Sequence, residues 1–158
     1  MKNLIITIVF LSLISCKSEA QQDENSDFKI QKTEEEWKAE LTSKEFEVLR
    51  KAGTERPFSS PLNDISEPGT FVCAACGNEL YRTKHKFKSG TGWPSFDRAI
   101  DGSLALSSDK KLGYERSEAL CGDCGGHLGH IFNDGPEETT GKRHCINGVA
   151  LDFIPEKQ

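Results

Sequence analysis

Positive charge is scarce in this chain of 158 residues: 20 lysines and arginines stand against 25 aspartates and glutamates, a formal net charge of −5. So acidic a balance gives no electrostatic case for a nucleic-acid partner. There is no low-complexity segment and no internal repeat beyond two Cys-x-x-Cys pairs, so a repeat array is excluded. Long apolar runs are also missing. The longest, Leu4 to Ile14, falls short of the ~20 residues that cross a bilayer, which argues against a permanent transmembrane helix.

That run has another reading. Lys2 supplies a positive start, the apolar stretch follows, and Leu13-Ile14-Ser15-Cys16 closes it as a cleavage region, so residues 1–15 read as an export signal. Leu-Ile-Ser-Cys resembles a bacterial lipobox, which implies that Cys16 becomes the lipid-bearing N-terminus of an envelope lipoprotein facing the exported side and touching the membrane through its lipid only. Ordinary secretion with a cut at Ser15 or later is the alternative. Without residues 1–15, 19 bases face 25 acids, a balance of −6. Residues 17–32 hold only Phe28 and Ile30 as sizeable apolar groups, so 16–32 is expected to be a flexible tether. Residues 33–156 remain, enough for one domain with its own core.

Within that domain Thr33 and Glu36 frame a capping box, with Trp37 as the anchor behind it; Thr42 and Glu45 frame a second, with Phe46 and Leu49 on one helical face. Two short helices are expected, the second ending at Gly53 with positive φ. From Thr54 onward prolines and glycines punctuate the chain too often for long helices. Phe71-Val72, Leu104 to Leu106, Leu112 to Tyr114 and residues 143–153 are candidate strands.

Cys73-Ala-Ala-Cys76-Gly and Cys121-Gly-Asp-Cys124-Gly are two knuckles of one design, and together they make a tetrahedral site for zinc. Disulfides within each knuckle would close very small loops and constrain the unfolded chain little. A thioredoxin-like redox pair would need a strand-to-helix entry, which neither knuckle has. The metal would clip turns 44 residues apart, contributing about 10 kcal/mol to folding.

With four cysteines on metal and Cys16 under lipid, Cys145 alone has no structural employment. On a strand through 143–153, Arg143, Cys145, Asn147, Val149, Leu151 and Phe153 share one face. A cation beside a thiol favours the thiolate and is expected to lower its pKa. The plainer reading is a buried cysteine in a strand.

Ser89-Gly-Thr-Gly-Trp93-Pro-Ser-Phe96, His127-Leu-Gly-His130-Ile-Phe-Asn-Asp-Gly-Pro136 and Arg143-His-Cys-Ile-Asn147, with Thr54-Glu-Arg-Pro-Phe58 and both knuckles, resemble the methionine-R-sulfoxide reductases from about Glu35 to Phe153. The resemblance implies a mainly β fold of two packed antiparallel sheets, two short N-terminal helices and one structural four-cysteine zinc site at the end away from Cys145. It implies reduction of R-epimer methionine sulfoxide in oxidised proteins, with Cys145 as nucleophile and a sulfenic acid as intermediate. His127, His130 and Asn147 match catalytic positions around the sulfoxide oxygen. Trp93 matches the wall for the methyl group, Phe132 a pocket closure, and Asp134 and Arg143 support, orienting a histidine and favouring the thiolate. Taken alone, the two histidines could be metal ligands and Trp93 simply core.

One position departs from the pattern. Many members carry a resolving cysteine in the Ser-Gly-x-Gly-Trp turn, where this chain has Thr91, so a thioredoxin-like protein or a small thiol must recycle Cys145 directly. His144 stands where aromatic residues are common and points away from the Cys145 face. The protein is expected to be a monomer. The rival from another class is a non-catalytic, zinc-stabilised β module that binds a partner.

Overall fold

The computed structural model describes residues 28–110, 113 and 115–157. Residues 1–15, Cys16, and Leu112 and Tyr114 of the expected strand fall outside that range. Both helices form: α1 is Glu34–Glu40 and α2 is Ser43–Lys51, opened by the capping boxes of Thr33 with Glu36 and Thr42 with Glu45. Helices this short are marginal alone and hold through tertiary packing. Trp37, Phe46, Val48 and Leu49 are buried, and the Arg50 guanidinium sits 4.8 Å from the Trp37 ring centre.

Two N-terminal expectations are corrected. Ala52, not Gly53, takes the left-handed conformation, with φ of 50°. Gly53 is required for space: a Cβ there would stand 2.9 Å from the Glu47 carbonyl oxygen, to which the Gly53 N–H donates. The last residues assigned to the tether are also held by the domain. Ile30 N–H donates to the Asp123 carbonyl at 2.9 Å, and Lys29 pairs with the Asp123 carboxylate at 2.6 Å.

Nine strands follow among the described residues: β1 Gly69–Cys73, β2 Glu79–Arg82, β3 Lys86–Phe87, β4 Ser95–Phe96, β5 Leu104–Asp109, β6 Arg116–Cys121, β7 His127–Phe132, β8 Arg143–Ile146 and β9 Leu151–Pro155. They build two antiparallel sheets, ordered β2-β1-β9 and β3-β4-β8-β7-β6-β5. Aromatic rings lock one sheet on the other: Tyr81 stacks on Phe96 with centroids 4.2 Å apart, and Phe71 meets Phe96 edge-on at 5.0 Å. All three are fully buried, a contribution of about 1.5–3 kcal/mol for a side chain such as phenylalanine.

Residues 143–153 are not one strand. After Ile146 the chain enters a 3-10 turn at Gly148–Ala150 and crosses into the smaller sheet as β9. The cause is long-range: the Glu55 carboxylate accepts the N–H groups of Gly148 and Val149. A Cβ at Gly148 would lie 2.0 Å from Ser60 Oγ, so only glycine fits that turn. Val149, Leu151 and Phe153 therefore leave the face of Cys145; Phe153 packs on Phe71 instead, at 4.9 Å.

Candidate active site and metal centre

The knuckles sit in the β1–β2 and β6–β7 turns, one from each sheet. Gly77 and Gly125 have φ of 76° and 68°, and their N–H groups close each turn on the carbonyl of its first cysteine. Past Gly77, the Asn78 side-chain amide donates across to the Cys121 sulfur at 3.5 Å. All four sulfurs lie within 4.8 Å of one another, and Cys73–Cys124 and Cys76–Cys121 approach to 3.8 and 3.5 Å. Disulfide sulfurs would be ~2.05 Å apart. A tetrahedron with metal–sulfur bonds of ~2.3 Å has sulfurs ~3.8 Å apart. The donor set therefore fits one tetrahedral metal ion that staples sheet to sheet.

Cys145 lies elsewhere, inside β8. Residues directly opposite in an antiparallel sheet share a face, and Cys145 is opposite Ser95 on β4 and His130 on β7, with Glu118 of β6 opposite His130 in turn. A row Ser95, Cys145, His130, Glu118 thus crosses the larger sheet. His127 joins it although its spacing from His130 is odd, because the β6–β7 register slips beside Leu120. The histidine rings meet edge-on at 5.3 Å. Gly129 between them makes room: a Cβ there would be 2.1 Å from the Cys145 carbonyl oxygen.

The partners of the expected residues differ from some expectations. The carboxylate on a histidine is that of Glu118, 2.6 Å from His127 Nδ1. Asp134 spends both oxygens on Arg143, at 2.9 and 2.8 Å, and the Phe132 ring lies 4.5 Å under that guanidinium. Asn147 is buried, accepting from Glu55 N–H and donating to the Leu128 carbonyl, both at 3.0 Å. It clamps the Glu55 segment to β7. Trp93 is half-buried and donates through Nε1 to the Glu55 carbonyl at 3.2 Å. Glu118 escaped the sequence reading; Glu55, Ser89 and Ser95 were given no role there, although each stands in one of the motifs, Thr54–Phe58 or Ser89–Phe96, that carry the resemblance.

The Cys145 thiol is pushed up from its ordinary value by burial, against the downward pull of Arg143 and Thr91. This corrects the expected lowering: the guanidinium favours the thiolate, but Asp134 shares its charge and burial outweighs it. His144 projects to the opposite side, as expected, and its Nδ1 is 3.3 Å from the Tyr81 hydroxyl. Burial holds its pKa down to about 4.

A thiol between a serine on one neighbouring strand and a histidine on the other, in a pair of β-sheets that meet at a four-cysteine cluster, defines a small β protein built around one candidate reactive-cysteine site. Residues 41–155 match the SelR domain, and the chain belongs to this family. It is 47% identical over 133 residues to the peptide methionine sulfoxide reductase MsrB of Leifsonia xyli subsp. xyli, covering 84% of this chain and 96% of that one. With the protein of the same name from Methanosarcina mazei it shares 51% over 130 residues, 82% of this chain and 92% of the other. With a Caenorhabditis elegans protein named "Probable methionine-R-sulfoxide reductase B" it shares 44% over 120 residues, 75% and 79% of the two chains.

Proposed function

We propose that this protein is a peptide-methionine (R)-S-oxide reductase that uses Cys145 as its one redox-active thiol. The observation that carries the reading is the row of Cys145 between Ser95 and His130, in a chain whose relatives are named for this activity. The Cys145 sulfur takes the oxygen: the sulfoxide S–O bond breaks, a new S–O bond forms on Cys145, and methionine leaves with two more electrons on its sulfur. His130 and His127 supply the proton that the oxygen needs, with Glu118 fixing the His127 ring. Trp93 and Phe132 give the substrate an apolar wall. One external thiol then converts the sulfenic acid to a mixed disulfide and water, and a second releases Cys145 as a thiol.

The metal is read as one structural zinc, since four thiolates complete its shell and leave no open position for chemistry. Cys16 is read as the lipid anchor of a monomeric envelope protein that repairs other exported proteins. The binding-module rival has no use for the Cys145 row. Zinc-loaded protein with dithiothreitol should reduce the R epimer of N-acetylmethionine sulfoxide and leave the S epimer untouched; no turnover of the R epimer contradicts the reading.

A further inference from the structure

Phe58 is 73% exposed and has φ of 61°. A bulky side chain in the left-handed region is a backbone outlier, and leaving its ring in water forgoes burial. Two unfavourable features on one residue point to a function when the surroundings hold them in place. Here the surroundings do hold them. Phe58 N–H donates to the Gly92 carbonyl at 2.7 Å, the Asn63 side chain donates to the same oxygen at 2.9 Å, and a Cβ on Gly92 would stand 2.9 Å from the Phe58 ring. Phe58 and the Ser89–Trp93 turn are therefore one unit, and Thr91 of that turn lies 4.0 Å from the Cys145 sulfur.

Phe58, Phe87 and Trp93 also line one cleft of about 140 Å³. Ordinary small-molecule sites run from ~300 to 1,000 Å³, so this cleft suits a single side chain rather than a free ligand. We propose that Phe58 is a specificity-determining shelf for polypeptide substrates, taking an apolar side chain that neighbours the methionine sulfoxide in sequence. The inference rests on the reductase reading and adds the class of substrate: oxidised methionine within apolar segments. An exposed ring tied to the rim of the site gives such a neighbour an apolar contact that a lone amino acid cannot use.

The test compares two peptides, each with one R-epimer methionine sulfoxide, flanked on both sides by leucine in one and by glycine in the other. The wild type should favour the leucine peptide by about tenfold in kcat/KM, and Phe58→Gly should bring the ratio to roughly one. Glycine adopts the required φ without strain, so this variant folds. Leu106→Ser, which removes an exposed apolar group on β5, should keep the wild-type ratio. Equal use of both peptides by the wild type, a preference retained by Phe58→Gly, or one lost equally in Leu106→Ser overturns the inference. No turnover of either peptide by the wild type overturns the reductase reading and this inference with it.

Discussion

The Thr91 hydroxyl oxygen stands 4.0 Å from the Cys145 sulfur, held there by Ser89 at 2.9 Å, which is itself 2.7 Å from Ser95. A sulfur in place of that hydroxyl would have to close only about 2 Å to reach bonding distance. Thr91→Cys, oxidised by one equivalent of R-epimer substrate without reductant, should give a disulfide between the introduced thiol and Cys145 by mass spectrometry. An unbridged, dimedone-labelled Cys145 in that variant contradicts the geometry.

The raised pKa of Cys145 has a kinetic signature. Alkylation by iodoacetamide follows the thiolate, so its rate should climb with pH through a midpoint above that of a free cysteine. Arg143→Gln removes the one pull from a full cation and strands Asp134, moving the midpoint higher. A wild-type midpoint below that of free cysteine contradicts burial as the dominant cause.

Loss of the metal should cost the fold. A structural zinc contributes about 10 kcal/mol, comparable with the ~5–15 kcal/mol by which whole domains are stable. Cys73→Ser and Cys121→Ser each remove a ligand from the cluster that joins the two sheets, so both should lose bound metal by elemental analysis and their cooperative thermal transition. A metal-free variant that melts like the wild type contradicts the structural role.

How far the sequence reached differs from element to element. The helices were legible because a capping box is local, and the four-cysteine cluster because two knuckles of one design announce themselves in the spacing. The break after Ile146 was not legible. Alternation continues through 143–153 as if one strand ran there, whereas the turn is imposed by Glu55, 93 residues away from Gly148. Glu118 was hidden for a similar reason, since only the register of β6 on β7 brings it to His127. The sign of the Cys145 shift failed because sequence shows the nearby arginine but neither the burial nor the carboxylate on that arginine.

Acid should find His144. Its pKa is near 4 in the fold against ~6.5 unfolded, so the neutral imidazole's contribution is complete above 6.5 and drains away as pH falls towards 4. The loss amounts to about 3 kcal/mol. His144→Phe should flatten that part of the stability curve in urea unfolding between pH 7 and 4. Parallel curves for the two proteins would show that another group titrates.

In the proposed reaction Cys145 alone takes the sulfoxide oxygen. Rapid mixing of zinc-loaded protein with excess R-epimer substrate, without reductant, tests it by the methionine released. One methionine per Cys145, a dimedone adduct on that residue with no intramolecular disulfide, and no methionine from Cys145→Ser are the expected results. Methionine formed by the serine variant, or Cys145 bridged to Cys73, Cys76, Cys121 or Cys124 in the wild type, would contradict it.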